Sequence, residues 1–134
     1  MWAEIPAVHA VTRAFSTTTG DLTQNGTVIG HGFSGYGTGL MDPDLEMVQD
    51  VGPIPRGSWT IGPFFDDPEK GPLVADLTPS PDTDVYGRSG FMLHGDTAAD
   101  VENGTQLASH GCIVLARSIR ELIAASGDSE LQVI

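Results

Sequence analysis

Apolar and polar positions along the chain change side over short runs, and only near the C-terminus does the period lengthen to that of a helix. Residues Phe15–Thr19 and Thr27–His31 are rich in β-branched side chains, which suit a pleated, half-buried surface. Between them lies Gln24-Asn25-Gly26. Asn-Gly is a strong hairpin signal, because both residues tolerate the positive φ of a tight primed turn. The pattern predicts a β-hairpin there, followed by a mobile, Gly-rich rim loop over Gly32–Gly39. That loop lacks the GKS or GKT ending and the following helix of a phosphate-binding loop. Asp42–Asp50 predicts a helical turn, and Gly52-Pro53-Ile54-Pro55-Arg56-Gly57 a stiff turn into the next strand. In Ser58–Ile61 the apolar Trp59 and Ile61 share one face. Residues Gly62–Gly71 read as an acidic loop, Leu73–Leu77 as a strand, Thr78–Gly90 as a second loop, and Phe91–Leu93 as a short apolar run into His94-Gly95. A polar loop, Asp96–Gln106, precedes a strand expected over Ala108–Leu115. The period then changes: Ile119, Leu122 and Ile123 have helical spacing, Ser118 and Glu121 form a capping-box pattern, and Gly127 is a stop signal. Glu130–Ile134 reads as a last strand. The expected architecture is mainly β, a sandwich or open barrel, with one short C-terminal helix.

Composition sharpens this picture. A chain of 134 residues that is 40% hydrophobic and 18% charged supports one core and reads as a single domain spanning 1–134. Its 17 glycines and 9 prolines suit a turn-rich β protein. The formal net charge of −12 excludes nucleic acid, and anionic membranes, as partners recognised by bulk electrostatics. Arg88, Arg117 and Arg120 flank the one chemically suggestive motif, where a local cationic patch would guide a carboxylate-bearing substrate. Cys112 is the sole cysteine, so an intrachain disulfide is excluded. Glu4, Pro6 and His9 interrupt the N-terminal segment, so no Sec signal is expected. No apolar run approaches the roughly 20 residues of a membrane span, so no membrane insertion is expected.

The suggestive motif is Ser109-His110-Gly111-Cys112, preceded by His94-Gly95. A lone cysteine is usually a small apolar core residue, but these neighbours favour a nucleophile. A thiol near pKa ~8.5 is only slightly ionised at neutral pH, and an adjacent imidazole can take its proton and later deliver it to a leaving amine. If the segment is extended, His110 and Cys112 face one side, and His94, ending another strand, enters the same cleft. Gly111 lets backbone N–H groups approach a developing oxyanion. Ser109 reads as orienting a histidine or holding the loop. A zinc site using His94, His110 and Cys112 is disfavoured, since HExxH, CxxC and a clear fourth ligand are lacking. No metal or other cofactor is expected. No histidine follows Cys112, which disfavours a papain-like peptidase. His9 and His31 read as surface or structural, Asp96 and Asp100 as solvated loop residues, and Trp59 as core.

His94, a spacer of 14 residues, and then Ser109, His110, Gly111, Cys112 and Ile113 resemble the signature of the L,D-transpeptidase (YkuD-type) catalytic domain. Upstream, Pro55-Arg56-Gly57-Ser58-Trp59-Thr60-Ile61 looks like that family's T-P-x-G-x-F-x-I turn and strand, with Ile54 in place of Thr. A closer resemblance is to the compact subgroup found as type VI secretion effectors, carried by Ser34–Gly39, Gly52–Gly57 and His94–Leu115. Many members of the broader family follow the cysteine with an apolar residue, Asn and Arg. Here Val114 and Leu115 follow Ile113, so the roles of that Asn and Arg do not transfer. The resemblance implies an enzyme on peptidoglycan stem peptides. Cys112 is its nucleophile, His94 or His110 the base, and Gly111 a contributor of oxyanion donors. Ser109, Gly95, Arg117 and Arg120 would bind substrate. The implied chemistry is attack on the carbonyl of a diamino acid, loss of the terminal D-alanine, and resolution of a thioester by water or by an amine. An immunity protein or a secretion-system component is the implied partner, and the periplasm or cell wall the implied place of action after synthesis in a bacterial cytoplasm. A phage lysis or virion component with the same chemistry, and a non-catalytic peptidoglycan-binding module, are the alternative readings.

Overall fold

The computed structural model describes residues 12–97 and 109–134. Most of the Asp96–Gln106 loop, Asp100, Ala108, His9 and the N-terminal segment lie outside them. Nine strands are present: β1 (Arg13–Phe15), β2 (Asp21–Gln24), β3 (Thr27–His31), β4 (Gly57–Ile61), β5 (Phe65–Asp67), β6 (Gly71–Pro79), β7 (Met92–His94), β8 (Ile113–Val114) and β9 (Glu130–Val133). A single α-helix among the described residues, α1, runs over Arg117–Ser126, and short 3₁₀ turns lie at Gly37–Gly39 and Pro43–Leu45. The strand order is β3-β2-β1-β9-β4-β6-β7-β8, with β5 against β6. β1 and β9 are parallel, as are β7 and β8, and the other pairs are antiparallel. Phe33, just past β3, exchanges two backbone hydrogen bonds with Val114 of β8, at 3.1 and 2.9 Å. The two ends of the strand order therefore meet, and the sheet curls into a barrel closed by that single bridge. This is the mainly β fold with a C-terminal helix that the pattern predicts.

Inside lie Phe15, Leu22, Ile54, Trp59, Ile61, Leu93, Ile113 and Leu131, all at most 4% exposed; burying each such side chain contributes about 1.5–3 kcal/mol. Trp59 meets Phe91 edge-on with centroids 5.0 Å apart, and its indole N–H donates to the Pro55 carbonyl at 2.9 Å. The burial of Trp59 and Ile61 around an exposed Thr60 follows the predicted alternation of β4. No helix among the described residues is long and apolar enough to cross a membrane.

Five features differ from expectation. The first strand ends at Phe15, because Ser16 Oγ accepts the N–H groups of Thr18 and Thr19 at 3.2 and 3.1 Å, and this local hydroxyl turn competes with the ladder. The hairpin is instead β2–β3, and its Asn25-Gly26 corner has the two positive φ values, 51° and 84°, of a type I′ turn. The acidic segment contains β5. The strand expected over Ala108–Leu115 is reduced to Ile113–Val114, with bends before it. Helix α1 starts one residue before Ser118, with Ala116 at the N-cap and no side-chain cap. Its position is set by burial: Ile119 packs where a side chain on Gly30 would collide, at 3.0 Å, and Arg120 is buried beneath the loop.

Candidate active site

His94 ends β7, flanked by β6 and β8, and is only 2% exposed. Its Nδ1 lies 2.7 Å from the Gly95 carbonyl oxygen. A carbonyl only accepts, so Nδ1 carries the proton and Nε2 is left as a lone-pair acceptor. Nε2 is buried and has no hydrogen-bond partner among the described residues. Burial pushes the His94 pKa below its ordinary value, against a smaller opposite pull from the Gly95 carbonyl, while Lys70 and Arg120 add to the lowering. The imidazole is thus favoured in its neutral form, with Nε2 unprotonated.

Cys112 sits in the bend before β8. The parallel register Leu93↔Ile113 and His94↔Val114, continued back one residue, sets Cys112 beside Met92. Met92 and His94 share a face of β7, and Lys70 acts electrostatically on both the His94 imidazole and the Cys112 thiol. The Met92 N–H points at the sulfur, and the Gly90 carbonyl lies 3.9 Å from Sγ. Burial pushes the Cys112 pKa up, outweighing the Met92 N–H, Lys70 and Arg88. Burial therefore favours the uncharged form of each group, imidazole and thiol.

Two serines fix the bend. Ser109 Oγ donates to the Cys112 carbonyl at 2.6 Å and accepts from the N–H groups of Gly111 at 3.1 Å and Gly35 at 3.0 Å. One proton and two lone pairs are all a hydroxyl has, so Ser109 is fully engaged in holding the loop. Ser34 Oγ accepts from Ile54 N–H at 2.8 Å and donates to the Gly111 carbonyl at 3.1 Å. The Gly-rich segment is thereby anchored at Ser34 and Gly35, both buried, and serves as a wall rather than a loose rim. Arg88, 6% exposed, donates to the carbonyls of Gly52 and Pro53 at 3.0 and 2.9 Å, to that of His110 at 3.4 Å, and to that of Glu46. Its guanidinium stands 5.0 Å over Phe91. Gly111 has φ +131°, and a Cβ there would lie 2.5 Å from Arg88 Nη2; only glycine suits both the angle and the space.

The His110 side chain is exposed and stacks on Tyr36, with ring centroids 4.7 Å apart and planes within 15°. Because the segment is bent, the two-residue alternation invoked for His110 and Cys112 does not operate. Arg120 is buried and donates to the carbonyls of Leu115, Pro72 and Leu73 at 3.1, 2.8 and 2.8 Å. Its Nη2 faces Gly95, where a Cβ would approach to 2.4 Å. Arg117 is exposed and pairs with Glu121 at 3.6 Å, while His31 lies 3.3 Å from Asp21 at the surface. No group of three metal-ligating side chains converges among the described residues. Two hollows open over the site. The wider, about 460 Å³, is lined by His94, Gly95, Asp96 and Arg120; the narrower, about 160 Å³, by Asp50, Arg88, Phe91 and Cys112. Lys70 and His110 line both. The positions of Lys70 and Ser34 in this frame are not apparent in the motif, and Arg88, read as part of a cationic patch, is instead engaged by backbone carbonyls; the one signal for Lys70 is that it is the chain's sole lysine.

A barrel of this topology, with a histidine ending one strand and a cysteine just before the parallel strand beside it, defines a YkuD-type, L,D-transpeptidase-like domain. The structure is similar to that of the L,D-transpeptidase LdtMt1 in complex with imipenem, with a TM-score of 0.52 at 17% identity, covering 93% of this chain and 59% of that one. It is also similar to an L,D-transpeptidase from Mycobacterium tuberculosis H37Rv, with a TM-score of 0.51 at 20% identity, covering 93% of this chain and 57% of that one. The chain thus spans less than two thirds of either. No curated protein matches it in sequence. Residues 29–132 match the model of the Tlde1 domain, and the chain belongs to the Tlde1 domain family.

Proposed function

We propose that this protein is a cysteine enzyme of peptidoglycan that removes or exchanges the terminal D-residue of tetrapeptide stems. The observation that carries the reading is the buried Nε2 of His94, unpartnered among the described residues, with its tautomer set by Gly95, at the end of the strand parallel to the one that Cys112, the only thiol in the chain, directly precedes. Nε2 takes the proton of Cys112 as Sγ adds to the carbonyl carbon of the diamino acid. Ser109 Oγ engages the Gly111 N–H, so the Cys112 N–H is the nearest backbone donor for the oxyanion. Collapse breaks the C–N bond, and His94 returns its proton to the departing amine, leaving a thioester. Water, deprotonated by the same Nε2, releases a tripeptide and restores the thiol; a D-amino acid in place of water gives the exchanged stem. Family membership supports action on the wall of a bacterial competitor after delivery by a type VI secretion machine, with an immunity protein in the producing cell.

Mass spectrometry of disaccharide-tetrapeptide incubated with the protein, with and without excess D-methionine, tests the chemistry. Loss of D-alanine, or its replacement by D-methionine, with intact protein but not with Cys112→Ala is the expected result. Undiminished conversion by Cys112→Ala would sink the proposal, and no conversion under either condition would favour a binding module.

A further inference from the structure

Lys70 is the one cation of the chain without an internal task among the described residues. Of the six lysines and arginines, Arg13 is buried against Gln24, Ser126 and the Asp128 carbonyl. Arg56 is paired with Glu46 at 2.9 Å, and Arg117 with Glu121. Arg88 and Arg120 donate to backbone carbonyls. Lys70 stands in the turn between β5 and β6, whose backbone is fixed: the N–H groups of Glu69 and Lys70 both donate to Asp67 Oδ2, at 2.9 and 2.8 Å. From there the side chain lines both hollows, that of His94 and that of Cys112. It is near enough to both to favour the neutral imidazole and the thiolate. The surrounding carboxylates, Glu69 and Asp96 in the wider hollow and Asp50 in the narrower, make a lone ammonium there the natural anchor for an anion.

On the reaction proposed above, on which this inference rests, the leaving amine receives its proton from His94, so the leaving residue lies towards the His94 hollow. When that residue is terminal, its carboxylate is one carbon removed from the amine. We propose that the Lys70 ammonium binds this terminal carboxylate and selects stems that end in a free D-amino acid over stems continued by an amide. A compact point charge suits a small anion reached from a surface turn, and a charge-assisted hydrogen bond at a half-open site gives a preference of about tenfold.

The test uses the full chain carrying Cys112→Ala and measures the Kd of two tetrapeptides, one ending in D-alanine and the other in D-alanine amide. The acid is expected to bind about tenfold tighter than the amide. Lys70→Gln should bring the two within about twofold, and Lys70→Arg should restore most of the difference. The same pattern is expected in kcat/KM with Cys112 intact. An unchanged acid-to-amide ratio in Lys70→Gln, equal loss on both peptides, or no binding of either overturns the assignment. Lys70-dependent binding of the acid without any D-alanine release would leave Lys70 its role and remove the cysteine chemistry. Release at equal kcat/KM from acid and amide would do the reverse.

Discussion

Burial acts on His94 and Cys112 in opposite senses on the pH scale and to the same chemical end, since it lowers the imidazole and raises the thiol. Neutral His94 is the form that accepts a proton. Its folded pKa lies below the ordinary ~6.5, so kcat/KM should hold steady as pH falls from 7 and decline only beneath that value. The thiol, raised above its ordinary ~8.5, should react with iodoacetamide in the free protein along a curve whose midpoint lies above that value. A midpoint at or below neutrality would show a resting thiolate and refute the neutral pair. His94→Gln should lower kcat/KM by about 10²- to 10⁴-fold with an unchanged circular dichroism spectrum. At this scale the sequence was partly legible. His94 and Cys112 stand out because their residue types and spacing carry chemistry. Ser34 and Lys70 do not, and Arg88 stands out only as one of the cations flanking the motif, because serving a distant carbonyl, or lining a hollow from a turn, leaves no local pattern.

Among the elements, the bend over residues 109–112 is held by one hydroxyl. Ser109→Ala would leave the N–H groups of Gly35 and Gly111 and the Cys112 carbonyl without their partner. Each unmet buried group costs about 1–3 kcal/mol, so a loss near 3 kcal/mol in urea unfolding is expected, with turnover falling by more than the stability change explains. Helix α1 offers the opposite case. Its N-cap Ala116 is exposed and extended, with φ −61° and ψ 152°, and offers no side-chain acceptor. Ala116→Asp should stabilise the protein by about 1 kcal/mol, and no gain in thermal midpoint would contradict the capping account. The helix was legible from the spacing of Ile119 and Ile123, and its end from Gly127, which adopts φ 70°. Its start was not, because Ser118 and Glu121 match a cap in sequence while the burial of Arg120 decides where the first turn forms. The extended reading of Ala108–Leu115 failed for a related reason: side-chain bonds from Ser34 and Ser109, supplied across the molecule or from within the bend, outcompete the ladder.

At the scale of the whole molecule, the barrel depends on one seam. Gly32 lies against it, and a Cβ there would come within 2.1 Å of the Val114 carbonyl and 2.7 Å of Leu115. Gly32→Ala should therefore open the Phe33–Val114 bridge and destabilise the protein by more than about 3 kcal/mol, the range of severe core defects. A near-wild-type unfolding midpoint would show that the seam contributes little. Gly26→Ala makes a control, because nothing lies within 4 Å of its Cβ position. Its φ of 84° confines the penalty to local strain. The alternation of strands and the Asn25-Gly26 corner made the β class legible, but the seam was not, since a single bridge between distant residues has no periodicity to announce it.

That seam also sets an order in time. Val114 lies two residues past Cys112, and Ser34 meets Gly111 across 77 positions of chain. Contacts so far apart in sequence close late and slowly, because the intervening loop must lose its freedom first. The buried surroundings that raise the Cys112 pKa are therefore among the last to assemble, and a refolding chain carries a cysteine of ordinary acidity. The setting of Cys112 and the closed ring are thus completed together.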